Sequence, residues 1–187
     1  MENTNKSMHK LKNEKLIELS MKDIKIIQSC ILNMIKELDE IFKKNNITYY
    51  LGGGSALGAI RHQGFIPWDE DMDINMTRKD CEKLIEIYKN TPEFNKKYYI
   101  CENSYDNEFD VNFLRIKLKG TSFKEYLYED YSKDGVFIDI FPVENMFDNL
   151  IIRNLHGILI TAMLFVTSCV RIYKKKTKYF IRNLCNQ

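Results

Sequence analysis

Within the 24 residues from Leu51 to Ile74, LGGGSALGAIRHQGFIPWDEDMDI, a glycine triplet and a carboxylate cluster stand one short helix apart. Few frames accommodate this. Ile47 to Leu51 is a β-rich run entering the glycines, Ser55 to His62 has helical character and is stopped by Gly64 and Pro67, and Asp71 to Met76 reads as a second strand. Strand alternation puts Asp71 and Asp73 on one face and turns Met72 and Ile74 into the core. Two carboxylates on one strand face repel, and a divalent cation resolves the repulsion; Mg²⁺, with Mn²⁺ as a substitute, is the cofactor this pattern calls for. Gly53, Gly54 and Ser55 offer backbone amides that phosphate oxygens can approach closely, at the start of a helix whose N-terminus favours anions. Taken singly, an Asp-x-Asp pair is commonly a solvated strand and a glycine triplet a plain turn. Their combination in this frame points to a metal and phosphate site.

Periodicity organises the rest. Ser20 and Asp23 form a capping-box pattern, and Ile24, Ile27, Ile31, Met34, Ile35, Leu38, Ile41 and Phe42 follow at helical spacing. Thr77 and Asp80 open another helix, with Cys81, Leu84, Ile85 and Tyr88 inward, that ends before Thr91-Pro92. Tyr98 to Cys101, Val111 to Leu118 and Val136 to Phe141 read as strands, the last two separated by a loop from Lys119 to Gly135. The expected fold is α/β (α+β), a mixed sheet flanked by helices. A chain of 187 residues suits a single domain, with a core over residues 1–150 and an apolar helix and basic tail over 151–187.

Asp139 interrupts the otherwise apolar Val136 to Pro142 run, where an unpaired carboxylate would cost several kcal/mol. Something cationic has to compensate it, either a metal shared with Asp71 and Asp73 or a nearby Arg or Lys. Arg115 and Lys117 share one strand face and could neutralise a diphosphate, while Leu114, Ile116 and Leu118 occupy the other. Arg61 has the planar guanidinium that clamps phosphate, or else pairs with Asp69 or Glu70. Asp69, just past Pro67, reads as a support or substrate contact. Trp68 reads either as a stacking surface for a base or quaternary ammonium or as a core or rim residue.

Gly54-Ser55, Leu57-Gly58, Arg61-His62, Gly64 to Asp69, Asp71 to Ile74 and Phe137 to Pro142 together resemble the signature of the LicD/fukutin family, in the nucleotidyltransferase-fold superfamily. Arg115-Ile116-Lys117 with Thr121 is similar to a weaker family segment, and the resemblance covers about Ile47 to Val143. It implies a nucleotidyltransferase-like mixed sheet in which Asp71, Asp73 and Asp139 are the catalytic metal ligands. It implies a Mg²⁺-dependent transferase that moves phosphocholine or a similar group from a CDP-linked donor to a cell-surface glycan or lipid-linked glycan, with release of CMP. It also implies a member that stops early, at Gln187. Ribitol or glycerol phosphate transfer, nucleotidyl transfer, and an inactive binding module are the alternatives.

Charge and cysteine use bound the partners. No Asp or Glu follows Asp148, so the last 39 residues carry +7 and, from a total of +2, the first 148 carry −5. The basic tail is either a surface for anionic lipid or glycan carrier or a solvated helix end, whereas an acidic body disfavours nucleic acid. Asn154 to Val170 is uncharged and dense in apolar residues, and reads first as a buried helix, with membrane attachment as the alternative. Five cysteines with no Cys-x-x-Cys pair argue against a zinc site or a disulfide framework. The lysine-rich stretch Met1 to Lys15 lacks a signal-peptide core, which predicts a cytoplasmic protein, with the inner face of the membrane as a possible station.

Overall fold

A computed structural model describes residues 19–101, 113–123 and 134–185, with side chains described as far as Val170. The segment Met1 to Lys15, the strand start expected at Val111, much of the loop expected after Lys119, and the side chains of Lys174 to Lys178 lie outside the described residues.

Helix α1 (Met21–Lys44) begins where its cap predicts: the Ser20 amide donates to Asp23 Oδ2 at 2.9 Å, and the Asp23 amide donates to Ser20 Oγ at 3.2 Å. It is followed by β1 (Tyr49–Leu51), α2 (Gly53–His62), β2 (Asp73–Thr77), α3 (Arg78–Asn90), α4 (Pro92–Lys97), β3 (Tyr98–Cys101), β4 (Leu114–Leu118), β5 (Phe137–Val143) and α5 (Leu150–Cys185). The five strands form one mixed sheet in the order β1-β2-β5-β4-β3, in which the neighbours β2 and β5 pair parallel and the other neighbours antiparallel. The expected mixed α/β architecture is present.

The sheet has two chemically different faces. Ile74, Met76, Leu114, Ile116, Ile138 and Ile140 turn to one side, where Ile31, Met34, Leu38 and Phe42 of α1 and Cys81 and Leu84 of α3 complete the core. Strand parity sends Asp73, Asn75, Arg115, Lys117 and Asp139 to the other.

Three local boundaries differ from the sequence reading. Helix α2 starts at Gly53, two residues before Ser55, because Gly53 enters the turn at φ +45°, a conformation that costs glycine least. The β2 ladder starts at Asp73 and not Asp71, although the alternation of burial continues back through Met72 and Asp71. Helix α4 was not anticipated, since Pro92 after Thr91 reads as a helix stop; a proline at the first helical position serves equally as a start.

Contacts divide the chain into two compact units, Met1–Val143 and Glu144–Gln187, where the sequence suggested one domain with a change near residue 150. In the second unit Asn149 Oδ1 accepts from the amides of Ile151 and Ile152 at 3.0 and 3.2 Å, capping α5. The apolar stretch within α5 is helical as expected but not buried: its large apolar side chains from Leu150 to Val170 are exposed.

Candidate active site

The site is built from one row across the sheet. Asp73 on β2 lies in register with Asp139 on β5, and Asp139 with Arg115 on β4. The backbone of Asp73 is held from both sides: its amide donates to Ser55 Oγ at 2.9 Å, and its carbonyl accepts from the Gly52 amide at 2.9 Å. The first turn of α2 packs directly on the carboxylates. A Cβ on Gly53 would overlap Asp73 Oδ2, and one on Gly54 would stand 2.8 Å from Asp69 Oδ2. The glycines are therefore what lets a helix N-terminus, whose first amides have no intrahelical acceptor, approach the acids. Gly53→Ala combines a left-handed backbone with this overlap and should destabilise the fold by about 1–3 kcal/mol in chemical denaturation. A melting curve equal to that of the native chain would show that the turn does not constrain Asp73.

The electrostatics record uncompensated negative charge. Burial, together with the charges of Asp69, Asp73 and Asp139 and a hydrogen bond with Asp69, pushes the Asp71 carboxyl up to about 7. Burial and the charge of Asp69 also raise Asp73, while Arg115 acts in the opposite direction. Asp69 is thus hydrogen-bonded to Asp71, a place from which either the support or the substrate contact offered by the sequence can be made. A carboxyl with a raised pKa binds a proton on folding, so its contribution to stability is largest below the ordinary aspartate value of 3.8 and is lost as pH rises to about 7. Metal-free protein should lose about 1–3 kcal/mol of stability across that window through Asp71, and Asp71→Asn should remove this pH dependence in denaturation curves.

The donor set suits Mg²⁺, a hard cation that takes oxygen ligands, keeps several waters, and is commonly held by one or two carboxylates plus substrate phosphates. Asp71 and Asp73 supply such a pair. Among the described residues, no group of three or more His, Cys, Asp or Glu side chains is placed to hold a metal ion by itself.

Asp139 has its cation on the neighbouring strand. Arg115 Nε donates to Asp139 Oδ1 at 2.5 Å and Arg115 Nη2 to Asp139 Oδ2 at 2.7 Å, with both residues buried. The guanidinium lies 3.6 Å from the centre of the Phe137 ring. Of the two compensations the sequence left open for Asp139, the described structure contains the arginine. Arg115 is accordingly engaged within the sheet, where the sequence reading offered it to a diphosphate.

The remaining expected residues divide. Ser55 is buried, and its hydroxyl holds the Asp73 amide, so what it can offer a phosphate is chiefly its backbone amide. Lys117, in register with Phe137, lies one same-face step along β4 from Arg115. Arg61 is in the last turn of α2, about 12 Å along the helix from Gly53 at 1.5 Å per residue, and its Nε donates to His62 Nε2 at 3.1 Å. Trp68 is 64% exposed, edge-on to His62 at 6.4 Å between ring centres, which rules out the core alternative.

Two residues were missed. Gln28 of α1 donates through Nε2 to the carbonyls of Ile66 and Asp69 at 3.0 and 2.8 Å, tying down the loop that carries Asp69. Only its position on the helix, among inward-facing isoleucines, hinted at this. Asn75 faces Gly52, with Oδ1 3.0 Å from where a Cβ would be, and its strand parity with Asp71 and Asp73 was the available signal. Gln28→Leu removes two hydrogen bonds to the loop and should cost about 1–3 kcal/mol in urea denaturation; an unchanged midpoint would mean the loop is held elsewhere. Cavities of about 450 Å³ beside Lys96, Lys97 and Lys119, and about 310 Å³ beside Ile87 and Phe94, are lined by none of Asp69, Asp71, Asp73 and Asp139.

The family described as LicD/FKTN/FKRP, nucleotidyltransferase domain, matches residues 46–156, more than half of the chain and the whole of this site except Gln28. The chain belongs to that family. The lipopolysaccharide cholinephosphotransferase LicD of Haemophilus influenzae is 40% identical over 57 residues, 30% of this chain and 22% of the relative. An uncharacterized protein of Rickettsia typhi is 31% identical over 121 residues, 59% of this chain and 37% of the relative. The human ribitol 5-phosphate transferase FKRP is 37% identical over 62 residues, 29% of this chain and 12% of the relative. The matched segments thus span well under half of these relatives' lengths. The LicD family match places the glycine turn, Asp69, Asp71, Asp73, Arg115 and Asp139 inside one nucleotidyltransferase domain.

Proposed function

We propose that this LicD-family chain is a Mg²⁺-dependent transferase that moves phosphocholine, or a similar phospho-linked group, from a CDP-activated donor to a cell-surface glycan or its lipid-linked precursor, releasing CMP. The observation that carries the reading is the packing of the glycine-only start of α2 against the carboxylates of Asp73 and Asp69. Similarity to a cholinephosphotransferase and to a ribitol 5-phosphate transferase supports a phospho-group transferase and favours these two head groups.

Asp71 and Asp73 would hold the cation, which when bound supplies charge neutralisation at the diphosphate. The amides of Gly53, Gly54 and Ser55 would receive phosphate oxygens at the helix N-terminus. Arg115 fixes Asp139 beside Asp73 and so keeps the floor of the site rigid. Exposed Trp68 is free to pack on the base or the head group. The acceptor hydroxyl attacks the phosphorus that bears the head group, the bridging P–O bond breaks with its electrons leaving on CMP, and the hydroxyl proton passes to one of the cluster carboxylates. The working location would be the cytoplasm, at the inner face of the membrane.

The test is CMP release from CDP-choline, CDP-ribitol and CDP-glycerol in the presence of Mg²⁺ and glycan acceptor. Release from at least one of these donors is expected, and the preferred donor names the head group. Pyrophosphate release from a nucleoside triphosphate in place of CMP would establish nucleotidyl transfer instead, and donor binding without any release would make the chain a binding module.

A further inference from the structure

The second unit carries an apolar surface that unit Met1–Val143 does not need for its own core. Among the residues of α5, Ile158, Leu159, Ile160, Met163, Leu164 and Phe165 are all at least 40% exposed. Successive residues point about 100° apart around a helix, so these side chains spread around most of its circumference, interrupted only by a narrow stripe of Asn154, Gly157, Thr161 and Ser168. A protein partner docking along one side of such a helix would leave the rest in water. Hydrocarbon surrounds it completely. The segment Leu150–Val170 is 21 residues, about 31 Å at 1.5 Å per residue, close to the thickness of a bilayer's hydrocarbon region, and its one charged residue, Arg153, stands in the first turn, where a long side chain reaches back to the headgroups.

Charge decides between a second copy and a membrane. Beyond Val170 the chain carries Arg171, Lys174, Lys175, Lys176, Lys178 and Arg182 and no acidic residue. Two such segments side by side repel, whereas anionic headgroups attract them. We propose that α5 docks this chain on a bilayer, with Leu150–Val170 in the hydrocarbon and the basic residues that follow at anionic lipid headgroups. The inference is independent of the donor chemistry above, because none of the site residues lies in this unit.

Flotation with vesicles of phosphatidylcholine alone, or of phosphatidylcholine mixed with phosphatidylglycerol, tests it on the full chain. The native chain should float with the mixed vesicles and much less with the neutral ones. Joint Lys174→Gln, Lys175→Gln, Lys176→Gln and Lys178→Gln substitution should lower the bound fraction at low salt by about tenfold or more, given about a fivefold contribution per basic residue near the surface. Leu159→Asn with Leu164→Asn should abolish flotation on both, while the melting of the first unit, followed by circular dichroism, stays unchanged. Failure of the native chain to float, self-association in place of flotation, or flotation indifferent to both sets of substitutions would each overturn the proposal.

Discussion

Asp73→Asn should lower Mg²⁺-dependent CMP release by about a thousandfold or more, the several kcal/mol expected when a ligand to a charge-neutralising cation is lost. Asp73 stands at the centre of the site: its carboxylate abuts Gly53, its amide is held by Ser55, and its register partner is Asp139. The fold should survive, because Asn keeps the shape while relieving repulsion from Asp69, and the metal-free melting temperature should stay level or rise. Asp71→Asn should behave in the same way. Native-like release by either variant would refute the metal assignment.

Arg115→Met should destabilise the protein by about 3–5 kcal/mol, because it strands the Asp139 carboxylate inside the sheet. The two residues are 3% and 6% exposed, too little for water to replace the lost partner. Urea denaturation should show a lower midpoint with an unchanged slope. Adding Asp139→Leu to Arg115→Met should recover most of the loss, since an apolar pair of similar volume has no charge to desolvate. A cost under about 1 kcal/mol for Arg115→Met would mean that another group compensates Asp139.

Local signals in the sequence carried much of this architecture. The caps at Ser20 and Thr77 act within three residues, and both helices start where those side chains predict. The alternation of Asp71, Met72, Asp73 and Ile74 likewise depends on neighbours alone, and it outlasts the ladder that begins at Asp73. What stayed hidden depends on distant partners. Arg115 and Asp139 are 24 residues apart and meet only through the β4–β5 register, so a strand-face argument could offer Arg115 to a phosphate but could not show that a carboxylate already holds it. The bonds from Gln28 to the Asp69 loop span about 40 residues of chain. The burial of α5 was misread for a related reason: apolar density marks a surface that needs covering, and it does not say by what.

The central claim is that the glycine turn and the Asp71–Asp73 pair together form a cation-dependent diphosphate site. Calorimetric titration of CDP-choline into the chain, with Mg²⁺ and then with chelator, tests it most directly. The account predicts binding that requires Mg²⁺, with affinity lost in Asp73→Asn and weakened in Gly53→Ala. Binding of equal strength with chelator present, or undiminished in Asp73→Asn, would contradict it.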